Sequence, residues 1–88
     1  MKLLREQVYN IIDGERAYQE QRWERPKHNH SATEYLVYID HYVKQGFARV
    51  SMEDGEEGAL EVLRKIAALA VAAIEEHGAP ERGMGYVR

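Results

Sequence analysis

Between positions 62 and 74 nearly every residue is Ala, Val, Leu or Ile, with Arg64 and Lys65 the exceptions. The uninterrupted apolar stretch, 66–74, is nine residues long, less than half of the roughly 20 needed to cross a bilayer. In an α-helix successive side chains are separated by about 100°, so such a stretch is apolar all round and needs cover on more than one side. One antiparallel helix covers one face. A second helix, or a second copy of the chain, must cover the rest. The chain has 88 residues, and a chain of that size buries only about 60–65% of its unfolded surface. A thin core beside an all-round apolar helix predicts self-association, with the functional site formed between copies. Alanines at 67, 68, 70, 72 and 73 let another helix approach closely.

The rest of the chain reads as helix as well. No segment alternates apolar and polar residues between turn signals, as a strand would. A first helix is predicted over 3–23, where Leu4, Val8, Ile11 and Ile12 recur at helical spacing and Gly14 interrupts. Pro26 lies in the loop that follows. Ser31 with Glu34 three residues later is a capping-box signature, which opens a second helix over 32–50. Its apolar stripe is Leu36, Ile39, Val43, Phe47 and Val50. An acidic turn over 51–58 leads to a third helix over 56–77, which Gly78 and Pro80 stop. The expected fold is all-α, a small three-helix antiparallel bundle over 1–80, oligomeric, with a flexible tail at 81–88.

Composition removes several function classes. There are no cysteines, hence no disulfide framework, thiolate metal site or cysteine nucleophile. A net charge of −3 argues against a general nucleic-acid coat, and nothing points to sequence-specific recognition. Arg5 and Glu6 follow the first apolar residues too soon for a signal-peptide core, so a cytoplasmic location is expected, in the host cytoplasm if phage-encoded. Serine occurs only at 31 and 51, and no phosphate loop, HExxH or GxSxG pattern is present.

Polar groups then appear where a stable helix would keep apolar ones. The stripe of the first helix continues as Glu15, Gln19 and Arg22, with Arg16 and Trp23 beside it. These positions either project past the small core into water or line a polar pocket. Arg22, Trp23, Arg25, Lys27, His28 and His30 bring cations and an aromatic ring together within nine residues. Arg and Lys bind phosphate through charge-assisted hydrogen bonds, and an indole offers a stacking face for a base. The bland alternative is a solvated loop with Trp23 plugging the core. Tyr35, Tyr38 and Tyr42 lie at i, i+3 and i+7 of the second helix, suiting an interface stripe or a ring platform. Asp40 falls on the Leu36/Val43 side, as an inward carboxylate. Arg64 and Lys65 either snorkel to water or await an anion.

The run 11–23, with Glu15, Arg16, Gln19 and Trp23 in an E-R-x-x-Q-x-x-x-W pattern, resembles the opening helix of small phage and prophage proteins described as MazG-like. These are relatives of the all-α nucleoside triphosphate pyrophosphatases. The run 59–75 is similar to their closing helix, so the resemblance covers about 8–80. It implies nucleotide chemistry. Active members hydrolyse a nucleoside triphosphate with Mg²⁺ held by an E-E-x-x-E cluster and an E-x-x-D pair, since magnesium prefers hard oxygen ligands. Here the first cluster is reduced to Asp40, and Arg64 follows Glu61 where the aspartate would stand. Only Glu15, Asp40 and Glu61 remain as inward acids, with Arg64 placed to neutralise Glu61.

Exchanging metal carboxylates for cations keeps phosphate affinity and removes the means of activating water. The expected function is therefore a non-catalytic nucleotide-binding oligomer, a phage-encoded sponge for a nucleotide immune signal, needing no cofactor. Arg16, Arg22, Lys27, Arg64 and Lys65 would contact phosphate, Trp23, Tyr38 or Tyr42 would stack on a base, and Gln19 would hydrogen-bond to sugar or base. The alternatives are a Mg²⁺-dependent pyrophosphatase using Glu15, Asp40 and Glu61, or a helical module that binds a protein partner and no small ligand.

Overall fold

The signals that punctuate the sequence act where their chemistry places them. In a computed structural model that describes residues 2–22 and 30–82 (the side chains at 53 and 54 excepted), α1 spans Arg5–Arg22, α2 spans Ala32–Arg49 and α3 spans Gly55–His77. Ser31 starts α2 as a full capping box. The Glu34 amide donates to Ser31 Oγ at 3.1 Å, and the Ser31 amide donates to Glu34 Oε1 at 2.7 Å. Gly78 ends α3 in the left-handed region, φ 75°, with its amide donating to the Ile74 carbonyl at 2.7 Å. The stretch expected as an acidic turn is instead a π-helical turn over Val50–Asp54 that continues α2 without a break. Gly55 then takes φ 58°, a value that favours glycine, and the chain reverses there into α3.

Helix α3 is the centre of the molecule. Helix α2 runs antiparallel to it. At one end Tyr35 Oη donates to Glu76 at 2.8 Å and His77 Nε2 donates to the His30 carbonyl at 2.6 Å. At the other, Arg49 bonds Glu61 at 2.6 Å, and Gly46 lies so close to Val62 that an added Cβ would sit 3.4 Å from its Cγ1. Helix α1 packs across α3. Leu3, Val8 and Ile11 share a groove with Leu60 and Leu63, while Gln19 reaches Lys65 and Arg16 reaches Glu75. The backbones of α1 and α2 make no contact with each other. The fold is an all-α bundle in which two helices flank a third, and no strand occurs among the described residues.

The core that results is small. Tyr35, Leu69 and Ala72 form its buried cluster, with Ile39, Tyr42 and Ala73 packed against it. Val62, Ala68, Gly46 and Gly58 are buried nearby. The inward face of α2 is therefore Tyr35, Ile39, Tyr42 and Gly46, which keeps only Ile39 of the stripe expected from the sequence. Leu36, Val43, Phe47 and Val50 are exposed, Phe47 at 71%. Around α1 the expected apolar stripe is mostly exposed, with only Ile12 half-buried, and the polar half takes the pocket alternative. Leu4, Val8 and Ile11 are exposed, whereas Gln19 is buried and the Glu15 side chain is only 10% accessible. The reason is geometric: α1 crosses the middle of α3 with its polar half, and its apolar half finds no third helix.

Candidate functional site

Because α1 and α2 do not meet, a cleft remains between them with α3 as its floor. Glu15, Tyr18, Gln19 and Arg22 of α1 line one wall, Tyr42 of α2 the other, and Lys65 and Leu69 the base. Its volume is about 420 Å³, within the usual range for small-molecule sites. The α1 residues stand at i, i+3, i+4 and i+7, so one helix face delivers all of them.

Gln19 is the buried member. Its Nε2 donates to the Lys65 carbonyl at 3.3 Å, and its Oε1 is buried with no hydrogen-bond partner among the described residues. An unpartnered buried carbonyl costs about 1–3 kcal/mol. Arg22 Nη1 donates to Tyr18 Oη at 3.0 Å, and its guanidinium lies 5.7 Å from the Tyr18 ring centroid. That contact holds the cation at the rim. Glu15 is held by Arg64, whose Nε donates to its carboxylate at 2.8 Å. With Glu15 neutralised in this way, Lys65 and Arg22 give the cleft a positive balance.

Of the residues expected to bind a ligand, Gln19, Arg22, Tyr42 and Lys65 come together here. Others are used elsewhere. Arg16 fastens α1 to the far end of α3, bonding Glu75 at 2.9 Å and Glu20 at 3.3 Å. Arg64 bonds Glu15, and its charge also helps lower Glu61, whose hydrogen-bond partner is Arg49. Tyr38 is half-exposed outside the cleft, its ring edge-on to His30 at 5.0 Å between centroids. Trp23, Arg25, Lys27 and His28 lie outside the described residues.

The three acids expected to share a metal are not brought together. Glu15 lies in the cleft, while Asp40 is exposed and paired with Lys44 at 2.9 Å, not directed inward. Glu61 bonds Arg49, whose hydrogen bond and charge hold its carboxyl below the ordinary value. Spacing explains the difference for Asp40: it follows Ile39, and one step along a helix turns a side chain about 100° away from the core. No cluster of three acidic or histidine side chains suited to a metal occurs among the described residues.

Tyr18 and Leu69 were not anticipated in the cleft. The signal for Tyr18 was its position four residues before Arg22, on the face already marked by Glu15 and Gln19. Tyr35, expected in an interface stripe or platform, is instead a core residue. Its burial first, and then its hydrogen bond to the Glu76 carboxylate and the charge of that group, push the phenol up to about 12. No helix among the described residues is long and apolar enough to cross a membrane. Comparison with protein-family models, curated proteins and solved structures finds no match to this chain.

Proposed function

We propose that the chain is a non-catalytic binding protein for a nucleotide or a similar phosphate-bearing small molecule, held in the cleft between α1 and α2, and that it works as a homo-oligomer. The observation that carries this reading is the meeting of Gln19, Arg22, Tyr42 and Lys65 in one cleft. Lys65 and Arg22 supply the charge-assisted hydrogen bonds that phosphate oxygens accept. The Tyr42 and Tyr18 rings offer faces to a base, and Gln19 accepts from a sugar hydroxyl or an exocyclic amine. The resemblance to MazG-like proteins supports the nucleotide class. The scattering of Glu15, Asp40 and Glu61 supports binding without turnover, because each acid has its own cation. Sequestration is the role that fits, as a phage-encoded sponge for a nucleotide immune signal. Homo-oligomer formation has its support in the thin core and the exposed apolar surface.

Isothermal titration of the full chain against cyclic and linear nucleotides and inorganic pyrophosphate tests the reading. At least one should bind, and Lys65→Glu should weaken it by more than tenfold with helicity unchanged, since a charged hydrogen bond is worth about 1.5–3 kcal/mol. Silence with the whole panel, or full affinity in Lys65→Glu, overturns it. Pyrophosphate release with Mg²⁺ that is lost in Glu61→Gln would replace it with the hydrolytic alternative.

A further inference from the structure

Leu60, Leu63, Ala67, Ala70 and Ile74 stand on α3 at alternating spacings of three and four residues. This is the seam of a helix that pairs with another helix, knobs into holes. Its large side chains are left largely uncovered: Leu60, Leu63 and Ile74 are 63%, 55% and 53% exposed, with Ala67 and Ala70 half-buried between them and α1 along one edge. Lys65, in the cleft, follows Leu63 by two residues and so lies roughly 200° around the helix. The seam is thus the back of α3, turned away from the cleft.

We infer that this face is the dimer interface, on which the α3 seam of a second copy packs about a two-fold axis. The inference deepens the homo-oligomer part of the proposed function and is independent of what the cleft binds. Three observations select a second copy. The three–four spacing asks for a helical partner, and an isologous interface supplies the same seam from both sides. Ala67 and Ala70 occupy its middle, where small side chains let two backbones approach. The area also fits. Two apolar grooves flank the seam, one between α1 and α3 and one between α2 and α3, with Leu63 lining both. Val8 and Ile11 on one side, and Val43, Phe47 and Val50 on the other, are exposed there. Together with the seam they present on the order of 400 Å² of apolar surface, taking roughly 60–120 Å² for each fully exposed large aliphatic side chain. A standard interface takes about 800 Å² from each partner, roughly 60% of it apolar.

Sedimentation equilibrium of the full chain, with thiol footprinting, tests this. The expected mass is twice 10.2 kDa, falling to the monomer in Leu63→Glu and Ala70→Glu. The chain has no native cysteine, so Leu63→Cys and Lys44→Cys each give a single thiol without a charge in the seam. Position 63 should alkylate at least tenfold more slowly than position 44 in concentrated protein, and should approach it on dilution. That measurement stands even if the glutamate variants fail to fold. A monomeric wild type overturns both this interface and the homo-oligomer reading. An oligomer in which Cys at 63 reacts as fast as Cys at 44 overturns the interface alone. Nucleotide binding that survives in a monomeric Leu63→Glu leaves the interface standing and separates it from the cleft.

Discussion

Tyr35→Phe separates the two contributions of a single hydroxyl. The Tyr35 ring is 3% exposed and its Oη donates to Glu76 Oε1 at 2.8 Å. Removing the oxygen leaves the ring in place and creates no large cavity, so the loss near neutral pH is that of one hydrogen bond to a charged acceptor. Such bonds are worth about 1.5–3 kcal/mol, and because the Glu76 side chain is 24% accessible and can turn to water, the low end applies, about 1.5 kcal/mol. For a chain of this size the melting temperature should fall by roughly 6–12 °C. Alkaline pH acts in the opposite direction. The phenol is raised from 10.0 to about 12, so folding favours its neutral form. A raised value means that the stabilisation is complete below pH 10 and is lost as pH rises towards 12. The full loss is on the order of 3 kcal/mol, with roughly half of it gone by about pH 11. Urea denaturation followed by circular dichroism should therefore show wild type ahead at pH 7, level with Tyr35→Phe near pH 11, and behind it above that. Parallel curves from pH 7 to 11.5 would mean that the hydroxyl is not held by Glu76 as described.

Two further outcomes follow from local geometry. Gly14 lies in α1 with nothing within 4 Å of an added Cβ, so Gly14→Ala should stabilise the chain by about 0.5–1 kcal/mol, read as a higher denaturation midpoint. Glu61 is held below its ordinary value first by the Arg49 hydrogen bond and charge, so its contribution is present above the unfolded value and is lost as acid protonates it. NMR titration should find the Glu61 carboxyl moving upward in Arg49→Gln, whereas an unchanged titration would show that Arg64 and Lys65 carry the effect instead.

The helices were legible because their signals are local. Ser31 and Glu34 lie three residues apart, and Gly78 requires only its own backbone, so each works without tertiary help. The π-helical turn at Val50–Asp54 was not, because its sequence offers acids and no distinctive breaker before Gly55. Which face of α2 turns inward also escaped the periodicity. Two stripes compete, one hydrocarbon through Leu36, Val43 and Phe47, one of tyrosines through Tyr35 and Tyr42. The tyrosine stripe is buried because Tyr35 can place its hydroxyl on Glu76. The polar half of α1 was correctly marked as unusual, and Gln19, Arg22 and Lys65 do meet. Pairing was the illegible part. Arg64 lies three residues from Glu61 in sequence and bonds Glu15 across helices, while Arg49 takes Glu61, because ion pairs follow helix crossing rather than sequence neighbourhood.

The apolar run that drew attention to α3 needs cover on more than one side, and the structure divides that need unequally. Leu69 and Ala72 are covered by α2, and Ala68 is buried beside them, whereas Leu60, Leu63 and Ile74 are left to water. The two polar residues within the run lie where this division changes. Lys65 opens into the cleft on the covered side, and Arg64 lines the groove between α1 and α3 while its guanidinium reaches back to Glu15. A site shared between copies would require cleft residues on the seam, and the two are roughly half a turn or more apart. The cleft is built instead by three helices of one chain. A dimer through α3 would carry two complete clefts facing away from each other, and its contribution to binding would be to hold α3 still beneath each of them.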